Sequence, residues 1–259
     1  MCCGLFSDTG ILRVQLSGEW TVETPQRTET FGRSAMFFGP QSRLLPVSIK
    51  GPFTTLGIVL RPCACTVLLR RPLSGLVDRV VPSDEIWLTE QALTDCLEPG
   101  AGAETWLTAI EALLRQRILE TGSVTPDPVT ARFEEIALRD PAMSIAQAAR
   151  EIGVDRRQLE RLVRRDFGLP PKQVLKRARA LDMASHLLGV ADGEEAEALE
   201  LRYYDESHLI HEFVELFRMS PRQFGSRPQP LLTLTLEARQ ARRLELIDRI
   251  VPGEPRPWQ

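Results

Sequence analysis

The chain has 259 residues, of which 43% are hydrophobic and 26% charged, and its net charge is −3. This is the composition of an ordinary soluble globular protein with one large or two average domains, and it excludes a disordered or fibrous chain. The mildly acidic balance also argues against a generic polyanion binder, and no run of about 18 apolar residues is present that would span a membrane.

Met1-Cys2-Cys3-Gly4-Leu5 lacks the basic n-region and apolar stretch of a signal peptide, so the cytoplasm is the expected location. The cysteines Cys2, Cys3, Cys63, Cys65 and Cys96 are odd in number and show no zinc-type C-x-x-C pairing. They read as small apolar side chains in a reduced compartment. Cys63-Ala-Cys65 as a soft-metal or oxidation site is the weaker alternative, and no cofactor is expected.

Residues 10–60 are punctuated by Gly and Pro. Leu12, Val14 and Leu16 fall on one period-2 face, and Leu56, Ile58 and Leu60 on another, which predicts a β-rich lobe. Apolar spacing turns helical over 84–97 and 104–120. The expected organisation is α+β: a β-rich lobe with carboxy-terminal helices over 1–120, then a linker over 121–128. An all-helical domain over 129–228 and a tail over 229–259 complete it.

Charge is uneven along the helical domain. Between Arg150 and Arg179 ten basic residues face four acidic ones, whereas from Asp182 to Glu215 Arg202 stands alone against a run of Asp and Glu. An internal repeat crosses this boundary. Ala149, Ile152 and Gly153 recur 49 positions on as Ala198, Leu201 and Arg202. Leu159, Val163, Phe167, Pro171, Gln173 and Val174 recur 50 positions on as Leu209, Phe213, Phe217, Pro221, Gln223 and Phe224.

In the first copy, Ser144 can cap a helix to about Ile152, with Gln147 as its capping-box partner. Gly153 permits the turn, and Asp155 caps a second helix through about Phe167. On a wheel with Leu159 at zero, Leu162, Val163 and Phe167 form the buried stripe. Arg157, Arg161 and Arg164 fall at about 160°, 200° and 140°, opposite that stripe. Outward guanidiniums suit bidentate bonding to guanine and pairing with phosphates. The plain alternative is a solvated face with ion pairs such as Glu160–Arg164.

The run Ser144–Pro171 resembles the first helix-turn-helix of the AraC-type transcription regulators. Tyr203–Phe213, continuing to Met219-Ser-Pro-Arg-Gln-Phe224, resembles their second motif. Phe38-Gly-Pro-Gln41 and Leu60-Arg-Pro62 resemble the sensor lobe of one bacterial branch. The resemblance implies two helical subdomains joined by a linking helix over about 171–188, with recognition helices in successive major grooves. It implies base contacts from Arg157, Glu160 and Arg161, and from Glu206, Ser207 and His211. Arg156, Arg164 and Arg165 complete the expected DNA-binding set. The implied partners are double-stranded DNA, a small-molecule effector in the amino-terminal lobe, a second copy of the chain and RNA polymerase.

The second copy departs from the first. Its outward positions are Ser207, His211 and Val214, and Ile210 stands where Glu160 stood. Arg202 and Arg218 replace turn glycines, and the acidic surround would repel phosphates. The expectation is a folded motif with weak DNA contacts. His208 and His211 read as polar faces rather than a zinc site. A protein-interaction module that has lost DNA binding is the second functional class. Enzymatic signatures (phosphate loop, G-x-S-x-G, H-E-x-x-H, G-x-G-x-x-G) are missing, so no catalysis is expected.

Overall fold

The computed structural model describes every residue except 88, 99, 123, 192–206 and 259. Its amino-terminal lobe is built on one antiparallel sheet with strands β1 (Cys2–Leu5), β2 (Gly10–Glu23), β3 (Thr28–Phe31), β4 (Ser34–Phe38), β5 (Leu45–Leu60) and β6 (Val80–Pro82). The order is β1-β5-β2-β4-β6, with β3 added to the far end of β2. The two long central strands pair from Gly10↔Leu60 to Val22↔Val47, with irregular register at Gln15/Ser17 and Ser17/Glu19. Gly18 holds a positive φ of 88° there. This irregularity shifts the alternation by one residue, so the same face carries Ile11 before it and Trp20 and Val22 after it.

The other face carries Leu12, Val14 and Leu60, with Leu16, Leu56 and Ile58 half-buried beside them. Helices α1 (Pro62–Leu69), α2 (Glu90–Asp95) and α3 (Ala103–Glu120) cover it through Leu68, Leu69, Leu93 and Ile110. The helix expected over 84–97 is shorter than its pattern. A 3-10 turn, Ser83–Glu85, precedes it, and Thr89 starts α2 by accepting from the Ala92 amide.

The helical region consists of α4 (Pro128–Arg139), α5 (Ile145–Ile152), α6 (Arg156–Phe167), α7 (Pro171–Leu187), α8 (Ser207–Phe217), α9 (Pro221–Gly225) and α10 (Pro230–Leu246). Phe133, Ile136, Leu159, Val163, Phe167 and Val174 form the core of the first subdomain. Phe213, Phe217, Phe224 and the second half of α7 form that of the second. The segment 229–259, expected as a tail, instead contains α10, which packs against α4, α7 and β1. No helix among the described residues is long and apolar enough to cross a membrane.

The two lobes share their cores. Phe6 and Leu44 of the sheet lobe belong to the second helical core, with the Phe6 ring edge-on to Phe217 at 5.0 Å. The Leu44 amide donates to the Leu216 carbonyl at 2.8 Å. Phe6→Ala is therefore expected to cost about 3–5 kcal/mol. The loss should also reach the partner lobe: hydrogen exchange should rise at Phe213–Phe224 more than at Arg156–Phe167. Exchange confined to the sheet would contradict the shared core.

Candidate nucleic-acid interface

The first helix-turn-helix is set by local chemistry. Ser144 and Gln147 form a reciprocal capping box at the start of α5, and Gly153 ends the helix in the left-handed region at φ 84°. Asp155 then caps α6 by accepting from the Gln158 amide at 2.8 Å. Leu159, Leu162, Val163 and Phe167 turn inward. Arg157, Gln158, Glu160, Arg161 and Arg164 line an open, solvent-facing surface along the opposite side.

Among the described residues, Arg156, Arg157 and Arg161 form no ion pair or side-chain hydrogen bond. Arg164 approaches Glu160 at 3.7 Å, a long contact between two half-exposed side chains. Such exposed i,i+4 pairs contribute only about 0.3–0.5 kcal/mol, so Arg164 can exchange Glu160 for a phosphate at little loss.

Arg165 differs from its neighbours. Its Nε donates to Asp166 Oδ1 at 2.6 Å, and its Nη2 donates to Asp166 Oδ2 at 2.8 Å and Asp127 Oδ2 at 3.0 Å. Buried Asp166 also accepts from Thr130 Oγ1 at 2.6 Å. The Asp166 hydrogen bonds raise the Arg165 pKa above its ordinary value, followed by the attraction of both carboxylates. Although expected in the DNA-binding set, Arg165 is a strut between α4 and α6.

The basic run is thinned further along α7. Arg177 is fully buried and donates from Nη1 to the Gln41 carbonyl at 2.8 Å and from Nη2 to the Asp8 carbonyl at 2.9 Å. Its position had a signal in the sequence: Arg177, Leu181 and Ala184 share one helical stripe, and that stripe is buried. Arg179 chelates Glu212 at 2.8–3.1 Å, and Lys176 meets Glu215 at 2.5 Å. The opposite charges counted on the two repeat copies thus partly cancel across α7 and α8. The acidic surround of α8 is weaker than its sequence implies.

In α8, Phe213, Leu216 and Phe217 face inward. Ser207, Ile210, His211 and Val214 are exposed, at the repeat positions of Arg157, Glu160, Arg161 and Arg164. Arg218 ends the helix in the left-handed region at φ 56°, as Gly168 does after α6. The required turn is therefore made, with the strain expected of a side chain there. Glu206 and Arg202 lie outside the described residues.

Cys63 and Cys65 are buried in α1. Burial, then the nearby Glu134 carboxylate, pushes the Cys63 thiol up to about 11, and burial raises Cys65 further. Neither thiol is ionised at neutral pH.

Residues 138–227 match the family model of a helix-turn-helix domain. The whole fold is similar to a crystal structure of ToxT from Vibrio cholerae. That match has 11% identity and a TM-score of 0.51, covering 87% of this chain and 93% of that one. An unsaturated fatty acid-bound wild-type ToxT from Vibrio cholerae strain SCE256 superposes with 12% identity and a TM-score of 0.48, over 86% and 88% of the two chains. Among curated proteins no sequence relative matches the chain.

Arg165→Ala is expected to destabilise by about 1–3 kcal/mol, since it leaves the buried Asp166 carboxylate short of its partner. It should leave the salt dependence of DNA binding unchanged. Denaturant titration and binding isotherms at several salt concentrations check both halves. A shallower salt slope would return Arg165 to the phosphate-binding set.

Proposed function

We propose that the protein is a cytoplasmic, sequence-specific DNA-binding transcription regulator of the AraC type, a reading supported by the match of residues 138–227 to the family model of a helix-turn-helix domain. It reads the major groove mainly through α6. One observation carries this reading: Arg157 and Arg161 project from the outer face of α6 with no partner among the described residues, on a helix whose opposite face is locked in a core. Free guanidiniums on a rigid helix are arranged to bond guanine O6 and N7, with Arg164 beside them for a phosphate.

Arg161→Ala should weaken specific binding by roughly 1–3 kcal/mol and relax preference at one base pair. Arg164→Ala should weaken all sequences about equally. Each phosphate contact adds roughly 0.9 to the salt slope; the exposed cations of the first copy lie in residues 150–172, and Arg218, Arg222 and Arg227 are exposed after α8, apart from Ser207 and His211. Ser207→Ala with His211→Ala should therefore cost less than Arg157→Ala alone and leave the slope nearly unchanged. Fluorescence anisotropy on a selected duplex and on random DNA, across a salt series, checks these values. Equal losses on both duplexes for Arg161→Ala would reassign it to the backbone.

The amino-terminal lobe is proposed to supply control, through a small-molecule effector and self-association. Exposed Leu107, Ile118 and Leu119 on α3 support the second. Arg13 supports the first. It is buried on β2 beneath Trp20 and Phe38, with ring centroids 5.4 and 5.9 Å from its guanidinium carbon. Among the described residues no carboxylate pairs with it, and burial pulls its pKa down to about 10. Arg13 Nε, both amide atoms of Gln15 and the Trp20 indole nitrogen are buried without partners. An anionic group would accept from the three donors of this cluster, Arg13 Nε, Gln15 Nε2 and the Trp20 indole N–H. Arg13→Met should raise the stability of the free protein by about 1–4 kcal/mol, as replacement of a poorly compensated buried charge often does. Thermal denaturation checks the sign. A loss would make Arg13 a structural partner of Trp20 and Phe38 instead.

A further inference from the structure

The two recognition helices expose equivalent positions with opposite chemistry. On α6 those positions hold Arg157, Glu160, Arg161 and Arg164; on α8 they hold Ser207, Ile210, His211 and Val214. Ile210 and Val214, at i and i+4, are 42% and 40% exposed and form one apolar ridge on the face turned away from Phe213 and Phe217.

We propose that α8 reads thymine methyl groups in the major groove, with Ile210 and Val214 as the specificity-determining residues. The proposal rests on the reading of this domain as a DNA binder. Three observations lead to it. The repeat places the ridge where α6 places its base-reading arginines, so the same docking turns both toward base edges. The acids that would repel the backbone beside it, Glu212 and Glu215, are held by Arg179 and Lys176. The ridge offers branched methyl groups and no hydrogen-bonding atom, and the thymine C5-methyl is the apolar group that the major groove displays. Ser207 and His211 flank it with hydroxyl and imidazole groups for adjacent polar edges.

The test uses full-length protein and duplexes selected by it from a random pool. The expected site has a guanine-containing patch read by α6 and a patch with thymine roughly 10 base pairs away, read by α8. Replacing each thymine of the second patch by deoxyuridine deletes only its methyl group. It should weaken binding about fourfold per methyl contacted, the size of one buried methylene-sized group. A 5-methylcytosine·guanine pair should retain more affinity there than cytosine·guanine. Ile210→Ala with Val214→Ala should abolish the thymine-over-uracil preference, leaving the salt slope and the guanine patch unchanged. Val214→Thr, which keeps one methyl, should retain part of it.

If no sequence is enriched, the DNA-binding reading itself fails. If sites are enriched but uracil binds as well as thymine, the methyl-reading proposal fails alone. It fails in the same way if the double variant binds DNA as the wild type does, and the ridge is then a protein-docking face.

Discussion

The arrangement of the two lobes depends on buried arginines that cross between them. Arg177 leaves the linking helix α7 to reach the Gln41 and Asp8 carbonyls, and burial pulls its pKa down to about 10. Arg239 of α10 meets Asp182 of α7 and bonds Asp8 at 3.2 Å. Burial opposes its charge, but the Asp182 and Asp8 carboxylates more than compensate, so its pKa is raised. A third bridge gathers Arg61, Arg242 and a nearly buried Glu134 at 3.2 and 2.5 Å. Buried ion pairs are poor sources of net stability, because desolvation offsets most of their attraction. They do penalise misalignment, since a shift of an ångström or two leaves several charges uncompensated at once. The lobes therefore dock in one register or come apart.

That docking reaches α6 without an intermediary. α6 packs against α1 and the 3-10 turn Leu73–Gly75 of the sheet lobe. Just after α6, a Cβ added to Gly168 would stand 2.5 Å from Val77 Cγ2 and 3.1 Å from the Leu73 carbonyl. Gly168 is thus required twice, by its positive φ and by the closeness of the other lobe. The second helix-turn-helix core is tied to the same lobe through Phe6 and Leu44. A cavity of about 60 Å³ remains between the lobes, bordered by Asp8, Glu134, Phe167, Arg239 and Arg242. It is far below the roughly 300 Å³ at which small-molecule pockets begin. In this state the contact is closed, so any signal entering the sheet lobe would act on both α6 and α8 through packed side chains.

Much of the helical domain was legible because its signals are local. The Ser144–Gln147 box, Gly153, the Asp155 cap and the stripe Leu159-Leu162-Val163-Phe167 each act within one or two turns, and each is where the pattern placed it. The sheet was legible only up to Leu16. Beyond it the β2 irregularity reverses the alternation, so Trp20 and Val22 point opposite to a simple continuation. Long-range pairing was not legible. Arg177 read as surface charge because its partner Gln41 lies 136 residues away; Arg165 did so because its neighbour Asp166 is fixed by burial, and its further bond to Asp127 spans 38 residues. The cancellation of Lys176 and Arg179 by the second repeat was hidden for the same reason. Residues 229–259 looked like a tail because α10 buries a face against three elements distant in sequence.

These long-range pairs change the charge that the helical domain presents. A uniformly basic first copy beside a uniformly acidic second would give a strong dipole along the domain, attracting phosphate at one end and repelling it at the other. With Arg177 buried and Arg165, Lys176 and Arg179 paired, the free charge among the described residues of the first copy contracts to Arg150, Arg156, Arg157, Arg161 and Lys172, with Arg164 loosely held. The α8 end becomes locally closer to neutral. Under the proposed function the salt-sensitive part of binding would fall to the free side chains of the first copy, densest on α6, and to Arg218, Arg222 and Arg227 exposed after α8, while α8 itself would contribute through short-range fit. In the proposed reading, such a division would make α6 the main element that captures DNA from a distance. In the same reading α8 would discriminate only after docking, because contacts between methyl groups act at van der Waals range and are insensitive to screening.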